Sequence, residues 1–196
     1  MTGRQLTNPL QSLLATAAKT LPKSTGVVAQ FQARMDRRQG SVVILADVST
    51  SMASAAWGGQ RKIDILREAV ATARRHTVLD LIAFSTHVER VDVIPEPRGG
   101  TDLAAGLAAA HALDPGVTLV ISDGHPDDQK RALQIAGTFR GAIDVLYIGP
   151  ESDAAALAFM RRLAAAAGGD VRAHDIAKAG TQRLAQSIAA LLPAPR

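Results

Sequence analysis

The chain has 196 residues, of which 47% are hydrophobic, and this composition predicts one folded domain rather than a disordered chain. It contains no cysteine, which excludes disulfide bonds and thiolate-based metal or redox sites. No apolar stretch reaches the roughly 18 residues that a membrane span needs, and we identify no signal peptide. We therefore expect a cytoplasmic protein that has no membrane partner.

The formal net charge of +4 makes the chain mildly basic, and two small clusters carry several of the positive charges. The clusters are Arg34, Arg37 and Arg38, and Arg74, Arg75 and His76. Cations are favourable in the last turn of a helix, and no aromatic residues are interleaved with these clusters as on nucleic-acid-binding surfaces. We interpret both clusters as solvated helix ends and expect no nucleic-acid partner.

The predicted elements lie between an N-terminal extension over residues 1–39, which could include one short helix, and a tail over 193–196. Continuous apolar runs predict strands, and apolar residues at helical spacing predict helices. In chain order these are a strand Val42–Ala46, a helix through Ile63–Ala73, strands Val78–Phe84 and Val88–Ile94, a helix through Leu103–Leu113, a strand Val117–Ser122, a helix Asp127–Phe139, a strand Ala142–Ile148, a helix Asp153–Ala167, a strand Val171–Ala173 and a helix Lys178–Leu192. This alternation predicts an α/β fold with a doubly wound, mostly parallel six-stranded sheet and helices on both faces.

One strand pair must break the parallel pattern. Only Ser85, Thr86 and His87 separate the strand Val78–Phe84 from the strand Val88–Ile94. A parallel pair needs a crossover of a dozen or more residues, whereas an antiparallel pair needs only a short turn. The second of these strands is therefore predicted to be antiparallel to the rest of the sheet.

Three polar segments lie where the chemistry of such a sheet is expected. They are Asp47-Val48-Ser49-Thr50-Ser51 after the first strand, Gly99-Gly100-Thr101-Asp102 at a helix start, and Ser122-Asp123-Gly124 at the end of a later strand. In open α/β sheets, ligands bind at the carboxyl ends of the strands, near the point where the strand order reverses. Carboxylate and hydroxyl oxygens are hard ligands that suit Mg²⁺ or Mn²⁺ better than zinc or copper.

The pattern Asp47-x-Ser49-x-Ser51, followed by Thr101 and then by Asp123-Gly124, resembles the metal-ion-dependent adhesion site of the von Willebrand factor A (vWA) domain family. The resemblance covers residues 40–192, includes the order of strands and helices, and is to bacterial intracellular members. Ser49 and Ser51 alone could cap a helix or shape a turn. Their combination with the two later segments favours the metal site.

The resemblance implies a role for each of these residues. Ser49, Ser51 and Thr101 would bind Mg²⁺ or Mn²⁺ through their hydroxyl groups, and Asp47 and Asp123 would hold the ion mostly through bound water. One position on the ion would stay free for an Asp or Glu of a protein partner. Intracellular bacterial relatives commonly work with AAA+ ATPases or in multiprotein assemblies, which implies a non-catalytic adaptor rather than an enzyme.

Three further residues are candidates for a partner-binding rim beside the metal. Trp57, the only tryptophan, is either a packed loop residue or an exposed anchor, since aromatic residues dominate interface energies. Asp102 is either the N-cap of the helix that follows it or a partner of the site. His125 could be a ligand, but we interpret it as a surface residue on the rim. Asp127 and Asp128 are assigned to the positive end of the next helix.

An enzyme is the alternative that the sequence leaves open. A Mg²⁺-dependent phosphohydrolase of the haloacid dehalogenase type also has an Asp after an apolar strand. In that family, the second acidic residue, two positions on, is the general acid, and here Ser49 occupies that position and cannot do this work. The phosphate-binding motif Gly-x-x-x-x-Gly-Lys-Ser/Thr is also absent from the sequence.

Overall fold

The computed structural model describes residues 40–75, 77–174 and 181–191. Within these residues, six strands form one sheet and five α-helices connect or flank them. The strands are β1 (Val42–Asp47), β2 (Asp80–Phe84), β3 (Val88–Arg90), β4 (Val117–Ser122), β5 (Ala142–Tyr147) and β6 (Val171–Ala173). The helices are α1 (Lys62–Arg74), α2 (Leu103–His111), α3 (Gln129–Ala136), α4 (Ala154–Ala166) and α5 (Thr181–Leu191).

The strand order in the sheet is β3-β2-β1-β4-β5-β6. Only β3 runs antiparallel, to β2, and all other neighbouring pairs in the described sheet are parallel. The predicted fold class and the antiparallel hairpin are therefore confirmed. The chain order reverses between β1 and β4, which are adjacent, so the crevice above their carboxyl ends is the ligand-binding position of such sheets.

The two faces of the sheet are covered by different helices. On one face, alternate residues of β1 such as Ile44 and Ala46 pack against α1 and α5. On the other face, Val43 and Leu45 pack against α2, α3 and α4. Every residue of β1, β4 and β5 is buried, because strands covered on both sides have no solvent face. The sheet centre is thus a rigid support for the residues that follow β1 and β4.

The helices begin after side chains that satisfy their free N–H groups. Asp102, Asp128 and Asp153 are the N-caps of α2, α3 and α4, and each accepts a hydrogen bond from a backbone N–H of the first turn. For this reason α3 begins at Gln129 and not at the predicted Asp127, and it ends at Ala136, where Gly137 follows.

Several strand and helix ends differ from the prediction. The strand predicted over Val88–Ile94 ends at Arg90, because the chain bends at Asp92 and Val93, and this bend leaves Val93 75% exposed. The strand before it begins at Asp80 because Val78 is 98% exposed. The predicted N-terminal extension, the tail and the cluster of Arg34, Arg37 and Arg38 lie outside the described residues.

Arg74 and Arg75 lie at the carboxyl end of α1, as the interpretation of the second basic cluster requires, whereas His76 lies outside the described residues. Among the helices that the structure describes, none is both long and apolar enough to span a membrane.

Candidate metal centre

The first part of the site is Asp47, the last residue of β1. Its side chain is fully buried, and both carboxylate oxygens accept hydrogen bonds. Oδ1 accepts from the backbone N–H of Ser49 at 2.8 Å, and Oδ2 accepts from the hydroxyl of Ser122 at 2.6 Å. Because Ser122 ends β4, the second bond joins the two strands at the point where the chain order reverses.

The second part connects the serine residues to Asp123. The hydroxyl oxygens of Ser49 and Ser51 lie 3.0 Å apart, and the Ser51 hydroxyl donates to Oδ1 of Asp123 at 2.8 Å. Four residues predicted from the sequence, Asp47, Ser49, Ser51 and Asp123, therefore form one connected group. The backbone bonds from Met52 to Ser49 and from Ser54 to Ser51, within a short 3-10 helix over Thr50–Ala53, hold the two serines in this place.

The third part is the loop that carries Thr101. The carbonyl oxygen of Gly99 accepts hydrogen bonds from both the backbone N–H and the hydroxyl of Thr50, at 3.1 and 2.9 Å. Gly99 has a φ of +73°, and a Cβ built there would lie 2.5 Å from the Thr86 hydroxyl, so only glycine fits. These contacts fix the loop against the serine segment. Among the described residues, the Thr101 hydroxyl has no hydrogen-bond partner.

Asp127 holds the other side of the same loop. Its carboxylate accepts from the backbone N–H of Thr101 at 3.0 Å, and its own N–H donates to the carbonyl of Thr101, also at 3.0 Å. From the sequence, Asp127 is assigned only to the positive end of the next helix. The structure gives it a positioning role instead, which the sequence does not indicate because the contact spans 26 residues.

Lys62 belongs to the candidate site although the sequence pattern does not include it. It is the first residue of α1, and its ammonium group forms an ion pair with Oδ2 of Asp123. The Lys62 side chain is 17% exposed and that of Asp123 is 1% exposed, so the pair is largely withdrawn from water. The sequence does contain one indication of this contact. A lysine in the first turn of a helix is unfavourable beside the helix dipole unless an anion compensates it.

The two site carboxylates have different electrostatic surroundings. Asp123 has the Lys62 cation beside it, whereas the donors that reach Asp47 are a hydroxyl and a backbone N–H. Burial raises the pKa of Asp47 to about 6, although the hydrogen bonds from Ser122 and Ser49 favour its ionised form. At neutral pH, Asp47 is a buried anion that would be stabilised by a further positive charge.

The donor set fits a hard divalent ion. It offers the hydroxyl oxygens of Ser49 and Ser51, the hydroxyl of Thr101 on the adjoining loop, and two buried carboxylates. The described part of the chain holds no group of three or more His, Asp or Glu side chains suited to an ion, so a site here depends on hydroxyls. Hydroxyls, carboxylates and water match Mg²⁺, which keeps several waters in its shell.

The proposed rim residues have different surroundings. Asp102 caps α2, because its carboxylate accepts a hydrogen bond from the N–H of Ala105 at 2.9 Å. This capping role explains the side chain without a protein partner. The His125 ring is half exposed and lies 2.8 Å from Asp153, and no contact of the described residues connects it with the metal candidates. Trp57 begins a short 3-10 turn, and its side chain lies outside what the structure describes.

Solved structures show which fold this is. The VWA domain of SpRpn10 superimposes with a TM-score of 0.60 and 12% sequence identity, over 76% of this chain and 94% of that domain. The fold is that of a vWA domain. The Deinococcus radiodurans RO (RSR) protein is also similar, with a TM-score of 0.49 and 18% identity, over 78% of this chain and 34% of that protein. The sequence matches no protein-family model and no curated protein.

Proposed function

We propose that this vWA-like domain is a non-catalytic protein-interaction module that captures an acidic side chain of a partner through a divalent cation. The observation that carries this proposal is the connected group Asp47, Ser49, Ser51 and Asp123 at the point where the strand order reverses. The vWA fold supports an interaction role, and the predicted cytoplasmic location stays a prediction.

In this proposal each residue acts through the contacts described above. Ser49, Ser51 and Thr101 would bind Mg²⁺ or Mn²⁺ directly, since their oxygens are neutral and compact. Asp47 is already held by two donors, which suits it to orient bound water rather than to bind the ion itself. When bound, the ion supplies a positive charge that neutral ligands leave largely uncompensated, and this charge would attract a carboxylate.

The partner is therefore a protein that presents an Asp or Glu on an exposed segment. The sequence resemblance to bacterial intracellular members suggests an AAA+ ATPase or another multiprotein assembly as its source. Trp57 and His125 remain candidates for contacts at the rim, because both follow the segments that carry the metal residues.

A pull-down with metal and variant controls tests the function. Tagged wild-type protein is incubated with lysate of the source cells, once in Mg²⁺ and once in EDTA. The variants Asp47→Asn and Asp114→Asn are incubated with the same lysate in Mg²⁺. Asp114 is exposed and precedes β4, at the end opposite to the site, so its variant controls for the lost charge. We expect wild type and Asp114→Asn to retain a specific protein in Mg²⁺, and neither wild type in EDTA nor Asp47→Asn to retain it. Equal retention in EDTA would contradict a metal bridge.

The haloacid dehalogenase alternative has no support from the structural similarities. Position 49, where that family has its general acid, is a serine whose hydroxyl contacts Ser51. A serine cannot protonate a leaving group as a carboxylic acid does. Hydrolysis of p-nitrophenyl phosphate in Mg²⁺ that disappears in Asp47→Asn would favour this enzyme over the interaction module.

A further inference from the structure

Lys62 approaches the site from an element that the metal pattern does not include. Its ammonium pairs with Oδ2 of Asp123, while the hydroxyl of Ser51 donates to Oδ1 of the same carboxylate. The same Asp123 carboxylate is thus shared between the hydroxyl group that would bind a metal ion and a cation that the protein itself supplies.

The backbone, and not only a flexible side chain, fixes this approach. The N–H of Lys62 donates to the carbonyl of Ser54 at 3.0 Å, and Ala55 forms a bridge with Arg61. Ala56 N–H donates to the carbonyl of Gln60 at 2.7 Å. The loop that follows the serine segment therefore closes on itself and returns the chain, with Lys62, to the edge of the site.

The helix does not explain why a lysine lies here. The N-terminus of α1 carries a partial positive charge, and a cation in the first turn is unfavourable there. An ion pair with a 1% exposed carboxylate compensates for this cost and also spares Asp123 from being a buried anion without a counter-charge. The charge of Lys62 is therefore matched to Asp123.

We propose that Lys62 is an internal counter-ion that neutralises Asp123 in the metal-free protein and is displaced from it when a divalent cation binds. This inference rests on the proposed metal site. Two cations compete for one carboxylate, so Lys62 lowers the affinity for the divalent ion and sets the concentration at which the site fills. The lysine keeps the metal-free site folded, and its displacement couples metal binding to the start of α1.

The chemical reactivity of Lys62 in the wild-type protein tests the displacement directly. The protein is treated with a limiting amount of N-hydroxysuccinimidyl acetate, with and without Mg²⁺, and acetylation of Lys62 and Lys130 is measured by mass spectrometry. Lys130 is an internal reference, because it is exposed and lies in the first turn of α3. We expect the ratio of Lys62 to Lys130 modification to rise severalfold in Mg²⁺.

Affinity measurements test the competition. Mn²⁺ binding is measured by calorimetry for wild type, Lys62→Met, Lys62→Arg and the control Lys130→Met. Removing one positive charge next to the shared carboxylate should tighten Mn²⁺ binding by about tenfold in Lys62→Met. Lys62→Arg and Lys130→Met should stay near wild type. If Lys62→Met does not fold, the reactivity of the wild-type lysine decides.

The outcomes separate this inference from the proposed function. In the first outcome, wild type binds Mn²⁺, Lys62→Met binds it with equal or lower affinity, and Mg²⁺ does not change the reactivity of Lys62. This outcome overturns the competition and leaves the metal site intact. Binding to Lys62→Met but not to wild type supports the counter-ion and contradicts a metal-dependent function of the natural chain. No binding to either protein overturns both proposals.

Discussion

Arg61 and Lys62 are neighbours in the sequence, but they belong to two charge networks that differ in their exposure to water. Arg61 pairs with Asp64 and Glu96 at the surface, where the Glu96 side chain is 65% exposed. Lys62 pairs with the buried Asp123 inside the candidate site. Water screens the first network, whereas the second retains its electrostatic strength. Burial, and not the number of charges, therefore determines which of the two networks keeps its electrostatic strength.

The comparison also extends to pKa values. Arg61 lowers the pKa of Asp64 and of Glu96, so both surface carboxylates stay ionised well into the acid range. Burial instead raises the pKa of Asp47 to about 6. In the described part of the chain, the surface network has as many cations as carboxylates, whereas the buried site has two carboxylates and one cation, Lys62.

The largest expected effect is that of Asp47→Asn on metal affinity. The amide can still accept from Ser49 N–H, and its NH₂ group can donate to Ser122, so folding should be preserved. The charge next to the site is lost, and we expect Mn²⁺ affinity to fall on the order of 100-fold. Calorimetry measures this, with circular dichroism to verify folding and Asp114→Asn as the control. Unchanged affinity would show that the site lies elsewhere.

Thr101→Ala should weaken Mn²⁺ binding by about tenfold, because it removes one neutral oxygen and leaves every charge in place. The Thr101 hydroxyl has no partner among the described residues, so the unfolding midpoint should not change. Ser152→Ala is the control, because Ser152 is exposed. Thr138 is unsuitable as a control because its hydroxyl donates to the carbonyl of Ile135. A tenfold loss in the control as well would remove the specific role of Thr101.

The raised pKa of Asp47 makes both stability and affinity depend on pH. Between about pH 4 and 6 the folded protein binds the Asp47 proton more tightly than the unfolded chain. The free energy of unfolding of the metal-free protein should therefore fall by roughly 3 kcal/mol as pH rises through this range. Mn²⁺ affinity should fall about fivefold from pH 6 to pH 5, as the ionised fraction of Asp47 decreases.

Denaturant unfolding of wild type and Asp47→Asn across this pH range isolates the contribution of Asp47, since the other titrating groups are common to both proteins. If the two proteins show the same pH dependence, the buried carboxylate does not titrate as described.

Gly99→Ala should lower Mn²⁺ affinity severalfold and reduce the melting temperature by about 2–4 °C for each kcal/mol of strain. Its φ of +73° disfavours a side chain, and the added Cβ would meet the Thr86 hydroxyl at 2.5 Å. Gly59→Ala is the matched control, because its φ is +78° and the space around it is open. Equal effects of both variants would attribute the loss to backbone strain and not to displacement of the Thr101 loop.

The smallest expected effect is that of Glu96→Gln, which removes a carboxylate from the surface network. We expect no measurable change in the melting temperature and no change in Mn²⁺ affinity, because the pairs of Glu96 with Arg61 and Arg67 are exposed. A clear loss of metal affinity in this variant would show that the surface network and the buried site are coupled.

Much of the geometry of the candidate site could be predicted because short sequence segments determine its parts. A buried apolar strand that ends in an Asp indicates both the position and the chemistry of Asp47, and the same holds for Ser122-Asp123 after β4. The Gly99-Gly100 pair indicates a tight loop at Thr101, which the positive φ of Gly99 confirms. Each of these inferences needs only local sequence and the rule for parallel sheets.

The contacts that were missed are those that depend on the path of a loop. Lys62 reaches Asp123 because residues 55–61 fold back on themselves, and no residue type in that loop predicts the closure. Asp127 pairs with the backbone of Thr101, and a backbone contact leaves no pattern of side chains to read. The strand Val88–Ile94 was overpredicted because apolar residues continue past Arg90, although the chain bends away from the sheet at Asp92 and Val93.

The most direct test of the metal centre is a crystal structure of the protein soaked in Mn²⁺, with anomalous data collected at the manganese absorption edge. We expect one anomalous peak beside the hydroxyls of Ser49 and Ser51, with Lys62 no longer paired with Asp123. A structure without a peak at this edge of the sheet, in which Lys62 still contacts Asp123 at high Mn²⁺ concentration, would contradict this expectation.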